Sequence, residues 1–134
     1  MLLSEVKTSI TKNLEQSYSV PDDNVLAEKV YEALLYVASQ CEPQVLLRKQ
    51  YIEDVDVYRK LPDGFCIMLP EYPDFGHPDR VLKIDETLSY AVINATCFLL
   101  SGEGKFDVLC SRWMHIFRKN DLNAYACEEI KEND

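Results

Sequence analysis

IDETLSYAVINATCFLLSGEGKFDVLCSRWMHIFRK, residues 84–119, reads as two helices joined by a short glycine link. Asp85 supplies a carboxylate where the first helix begins. Leu88, Ala91, Val92, Ala95, Phe98 and Leu99 then recur at three- and four-residue steps, forming one apolar stripe. Tyr90, Ile93, Cys97 and Leu100 form a second. Ser101-Gly102-Glu103-Gly104 ends the helix, because glycine tolerates the positive backbone angles of a helix exit. Phe106, Leu109, Cys110, Trp113, Ile116 and Phe117 repeat the spacing in the second helix. Arg118 and Lys119 near its end oppose the negative pole of the helix dipole. A helix apolar on two sides has two sets of partners: helices of its own bundle, or its bundle and another chain.

The N-terminal half is also helical in period. Leu3, Val6, Ile10 and Leu14 place a helix over residues 2–16, with Lys7, Thr8, Thr11 and Lys12 outward. Pro21-Asp22-Asp23 opens the next, with acidic residues in the favourable first turn and Leu26, Val30, Ala33, Leu34, Val37 and Cys41 on one face. Pro43 interrupts it, and Val45, Leu46 and Leu47 are expected to add a further helical turn or two before Tyr51.

From residue 54 the period falls towards two. Asp54-Val55-Asp56-Val57-Tyr58 alternates like a half-exposed strand, and Phe65-Cys66-Ile67-Met68-Leu69 is a second run of strand character. Between them, Leu61-Pro62-Asp63-Gly64 has a proline to preset the first turn angle and a glycine to relax the last. Residues 70–79 hold three prolines, a glycine and two aromatics, which suits a docked segment better than a flexible linker. The expected architecture is therefore mainly α: one domain over 1–134, a small helical bundle with a β-hairpin or extended loop inserted at about 51–83, and a flexible tail over 121–134. Strong helices are expected near 23–41, 86–101 and 105–119. The expected core comprises Leu26, Val30, Leu34, Val37, Leu88, Val92, Ala95, Leu99, Leu109, Trp113 and Ile116.

A chain of 134 residues has room for one core without metal or disulfide support. The five cysteines are odd in number and form no CxxC pair, so reduced packing thiols are expected. No signal-peptide pattern opens the chain, and no apolar run approaches the ~18 residues that span a bilayer, so no membrane partner is expected. The net charge of −9 is spread evenly, about −2 over residues 1–50, −3 over 51–83 and −4 over 84–134. The cation pairs Arg48-Lys49, Arg59-Lys60 and Arg118-Lys119 are too small and scattered to grip nucleic acid. The acidity fits a basic protein partner, a surface that DNA slides past, or simple solubility.

Catalytic signatures are not found. Cys110 and His115 lie five apart, off a common helical face, which argues against a zinc pair. Asp54 and Asp56 share a strand face, yet exposed acids beside a turn are usually just solvated. His77 and His115 have no nucleophile at motif spacing, and four glycines furnish no phosphate loop. No enzyme activity, catalytic residue, metal or cofactor is expected.

The order of helical N-terminal half, Leu61-Pro62-Asp63-Gly64 turn, and a hairpin opened by Ile84-Asp85, Leu88, Ala91 and Ala95 and closed by Trp113 and Phe117 resembles the head-to-tail adaptor (connector) proteins of tailed bacteriophages. The likeness covers most of the chain in pattern more than in identity. Residues 70–79 depart from it. It implies a non-catalytic virion structural protein in the neck, made in the host cytoplasm, forming a ring, commonly of twelve copies, between the portal protein and a downstream neck or tail protein. DNA would pass through an acidic channel without specific binding. The resemblance further implies a reaching loop over Tyr51–Leu69 that meets a neighbouring subunit through Val55, Val57, Tyr58, Phe65 and Ile67. Tyr72, Phe75, Trp113 and Phe117 would dock partners, and the tail with Glu128, Glu129 and Ile130 would face the portal. The alternative is a small cytosolic helical protein-binding or regulatory module using the same stripes.

Overall fold

Glu86–Ser101 and Gly104–Glu132 are helices, here α3 and α4, and they pack along each other through the Gly102-Glu103 link. The computed structural model describes residues 1–15, 18–50 and 56–132, with side chains described through residue 120. Gly102 sits at φ 72° and its N–H donates to Phe98 O at 2.8 Å, the left-handed helix exit its sequence announces. α4 runs past Lys119, where the sequence places its end. Before the hairpin come α1 (Leu3–Leu14), α2 (Asp23–Gln40), one 3-10 turn (Gln44–Leu46), and strands β1 (Leu47–Lys49), β2 (Val57–Lys60) and β3 (Phe65–Met68). The architecture is mainly helical, with a small sheet inserted between helices.

α3 occupies the middle of the bundle, touching α1, α2 and α4. From Leu88 to Cys97 every residue except Tyr90 is buried, so both apolar stripes are enclosed by the chain's own helices over that stretch. Its buried polar side chains turn back on their own helix: Asn94 donates to Tyr90 O at 2.9 Å and Thr96 to Val92 O at 2.8 Å. α1 and α2 contribute Leu3, Val6, Ile10, Leu14, Leu26, Val30, Leu34 and Val37, the faces their periodicity predicts. Asp22 caps α2, accepting from Val25 N–H at 3.1 Å.

On α4 the buried stripe is Phe106, Cys110 and Met114, with Trp113 and Phe117 partly buried beside it. The sequence favoured Leu109, Trp113 and Ile116, which are all only half-buried. Both stripes satisfy the helical period, and the direction from which α3 approaches decides between them. Leu99 is a plain correction: it is 41% exposed, because it faces the gap between α2 and α4 that the small side chains of Ala33, Ala95 and Cys110 leave open.

The inserted hairpin forms as β2–β3, and β1, just before the expected insertion, adds a third strand, giving the order β1-β3-β2 with both pairings antiparallel. The expected helical extension through Val45–Leu47 is a single 3-10 turn, after which Leu47 turns outward to pair with Ile67. Nothing in Leu47-Arg48-Lys49 has marked strand preference; pairing with β3 overrides the local tendency. The β2–β3 turn forms as read, with Gly64 at φ 88° and Leu61 N–H donating to Phe65 O at 2.8 Å. Ala38 of α2 joins Leu46, Leu61 and Ile67 in a small second core beneath the sheet.

Two arginines finish α2, whose last turn carries no basic residue of its own. Arg59 of β2 donates through Nε to Ala38 O at 3.0 Å and through Nη2 to Cys41 O at 2.7 Å. Arg118 of α4 donates to Gln40 O at 3.2 Å. Both place positive charge at the negative pole of the helix. Asp85 also acts at a distance: at the α3 N-cap position it makes no side-chain bond to its own helix, and instead accepts from Gln44 and Val45 N–H at 2.8 and 2.9 Å. One carboxylate thereby ties the start of the 3-10 turn to the start of the hairpin.

The proline-rich stretch docks on its own fold. Pro70, Pro73 and Phe75 are buried. Asp74 accepts from Gly76 N–H at 3.0 Å and meets His77 Nδ1 at 2.7 Å, which hold its carboxyl below the usual carboxylate range. Beyond it, Pro78 O and Arg80 O accept from Ser4 and Leu3 N–H at 3.0 and 2.8 Å, satisfying the free amides of the first turn of α1.

Candidate protein-docking surface

Where α3 leaves the bundle, three helices frame a hollow of about 250 Å³. Ala33 and Tyr36 of α2, Ala95, Phe98 and Leu99 of α3, and Cys110 of α4 line it, with Glu32 and Asp107 at its edges. The hollow exists because Ala33, Ala95 and Cys110 are small and buried while Tyr36 (43% exposed), Phe98 (36%) and Leu99 (41%) stand around them. Each is a helix surface position carrying a side chain that water solvates poorly.

The electrostatics disfavour nucleophilic chemistry. Burial pushes the Cys110 thiol up to about 11, helped by Asp107 and Cys41, so it stays protonated at neutral pH. Burial, then Cys110 and Asp107, likewise raises the Tyr36 hydroxyl. Asp107 makes no ion pair with a described residue, and Glu32 meets only Lys29, at 3.5 Å one helical turn away. Asp107 is thus the carboxylate at the edge with no ion-pair partner among the described residues, while Lys29 offsets Glu32 and the Arg118 guanidinium acts on the Tyr36 hydroxyl in the opposite sense.

The residues nominated from sequence fall elsewhere. Ile67 is fully buried beneath the sheet, and Phe75 lies in the main core, so neither faces outward. Tyr58, Phe65 and Val57 are half-buried; Tyr58 and Phe65 pack on the second core, and Tyr58 OH donates to Leu35 O at 3.1 Å. The described part of the expected reaching loop is thus seated on α2. Val55 lies outside the described residues, as do Asp54 and the side chains of Glu128, Glu129 and Ile130. Asp56 is at φ 62° in the turn before β2, outside the strand that would have paired it with Asp54. Trp113 stacks on Tyr90 with ring centroids 4.7 Å apart, and Phe117 packs on the core. Tyr72 is exposed and leans on Tyr31 at 5.1 Å.

Sequence reading missed the hollow because it took Phe98 and Leu99 as one continuous core stripe with Leu88–Ala95. No stripe of the sequence marks it, since the small residues that open it, Ala33, Ala95 and Cys110, come from three separate helices. Among the described residues no cluster of metal-binding side chains occurs, and no helix is long and apolar enough to cross a membrane. Fold and surface together define a small, mainly helical protein with an apolar hollow between three helices. No protein-family model, curated protein or solved structure matches the chain.

Proposed function

We propose that this chain is a non-catalytic assembly subunit, a head-to-tail adaptor that forms a ring between the portal and tail of a tailed bacteriophage. The observation that carries the reading is the groove: Tyr36, Phe98 and Leu99, from two different helices, are exposed around one apolar hollow. Each is already more than half covered, so closing over the remainder contributes about 0.5–1 kcal/mol per side chain towards association. Two further features suit the role. α4 has 29 residues against 16 in α3, so 13 continue beyond the length its partner can match, an arm of about 20 Å towards the portal. β1 and β2 are both edge strands, offering backbone groups to a neighbouring subunit.

The test mixes the purified chain with the portal protein of the same genome and follows it by mass photometry and negative-stain microscopy. Closed rings on the portal are expected, together with loss of infectivity when the gene is removed. A chain that stays monomeric with its portal, from a phage that remains infectious without the gene, would overturn the proposal. A stable one-to-one complex with a non-virion protein would instead fit a small binding module.

A further inference from the structure

We infer that the groove between α2, α3 and α4 receives a basic amphipathic helix from a different protein, its apolar stripe seated on Tyr36, Phe98 and Leu99 and its cations meeting Glu32 and Asp107. This deepens the assembly reading and rests on it only in taking the groove as a docking face.

The form of the occupant follows from the walls. All three are helices and no strand borders the hollow, so an extended peptide would find no strand edge there. A helix brings its own backbone bonds and needs only side chains at three- and four-residue spacing. The floor of Ala33, Ala95 and Cys110 leaves space for one such side chain to enter.

The charge of the occupant follows from the edge. Asp107 has no ion-pair partner among the described residues, and Glu32 only a neighbour on its own helix. A second copy seated groove to groove would set one Asp107 against the other and add no new cation for either. The chain's own tail is no better: residues 121–134 carry Asp121, Glu128, Glu129, Glu132 and Asp134 against the single cation Lys131. With −9 on the whole chain, an acidic or self-derived helix is repelled while a basic one is drawn in.

The test uses three synthetic peptides of about 18 residues, long enough for five turns. One has leucines at helical spacing flanked by lysines, one replaces the lysines with glutamates, and one keeps the lysines but shuffles the leucines. Fluorescence anisotropy with the full chain should show the first binding at least about tenfold tighter than either other, and weakening as salt rises. Glu32→Gln with Asp107→Asn should weaken it about tenfold, and Leu99→Asp by at least as much, while circular dichroism and melting stay near wild type. Amide shifts on binding should centre on Tyr36, Phe98 and Leu99. Equal binding of the glutamate or shuffled peptide, or wild-type affinity in either variant, overturns the inference. Leu99→Asp is also run in the ring assay: lost assembly without peptide binding rejects the basic helix alone, and intact assembly rejects the groove as an assembly face.

Discussion

Replacing Arg59 should cost the protein more than any other exposed or half-exposed cation. Its guanidinium makes two bonds, at 3.0 and 2.7 Å, to carbonyls that end α2, and it holds the sheet against that helix. A hydrogen bond to a charged group contributes about 1.5–3 kcal/mol, and a cation at a helix C-terminus a further 0.3–1. Arg59 is half-buried, so solvent recovers part of this, and Arg59→Ala should lose about 2–4 kcal/mol. In a domain stable by about 5–15 kcal/mol that is a melting shift on the order of 10 °C. Arg59→Lys keeps the charge but has no fork to span two carbonyls, so it should fall about midway. Arg118→Ala, which removes one bond of 3.2 Å at an exposed site, should cost under about 1 kcal/mol. Urea unfolding followed by far-ultraviolet circular dichroism measures all three. A loss under about 0.5 kcal/mol for Arg59→Ala, or equal losses for Arg59→Ala and Arg118→Ala, would show that the clamp does not hold the sheet.

Other perturbations separate core from surface. Leu34→Ala should cost about 2–5 kcal/mol because the side chain is 1% exposed, whereas Leu99→Ala should cost under about 1 kcal/mol in the isolated chain; denaturant midpoints decide. Gly102→Ala should lose about 1 kcal/mol from backbone strain alone, since nothing lies within 4 Å of the added methyl, and a neutral result would refute the left-handed exit. Cys97 and Cys110 are both raised by burial to about 11, while an unfolded thiol titrates near 9. Between those values the unfolded chain releases protons that the native chain keeps, so stability is full below pH 9, falls as pH rises from about 9 to 11, and then levels. Replacing both cysteines by alanine should flatten that limb of the pH profile. The four described cysteines are free, so alkylation of unreduced, unfolded protein should modify each of them.

Most of the helical framework was legible because burial imposes its period directly on sequence. Asp22 before α2, and Gly102 after α3, mark boundaries by local chemistry that does not depend on the rest of the chain. β1 was illegible for the opposite reason: Leu47-Arg48-Lys49 becomes a strand only because β3 is there to pair with it. The same holds for Asp85, whose position declares a helix cap while its oxygens serve amides 40 residues away. The groove depends on small side chains from three helices, Ala33, Ala95 and Cys110, meeting at one level, a relation between elements that no single stripe encodes. Ile67 and Phe75 were nominated as outward-facing for lack of that information, since the sequence shows that a residue is apolar but not which chain buries it.

The inward-turned polar groups of α3 leave its orientation with little directional restraint. Asn94, Thr96 and Ser101 each bond a carbonyl four residues earlier, and the side-chain hydrogen bond to α3 from another helix among the described residues is a long one, Asn13 Nδ2 to Cys97 Sγ at 3.8 Å. Side-chain shape therefore sets how α3 sits through its middle, while its stronger polar ties lie at its start, where the chain's N-terminus meets Glu86 at 2.8 Å and Asp85 accepts from Gln44 and Val45. The firm polar anchoring of the central helix is thus gathered at its first turn, and Phe98 and Leu99 at the far end are positioned by apolar packing. The bundle is pinned by charge at one end and shaped by side-chain fit at the other.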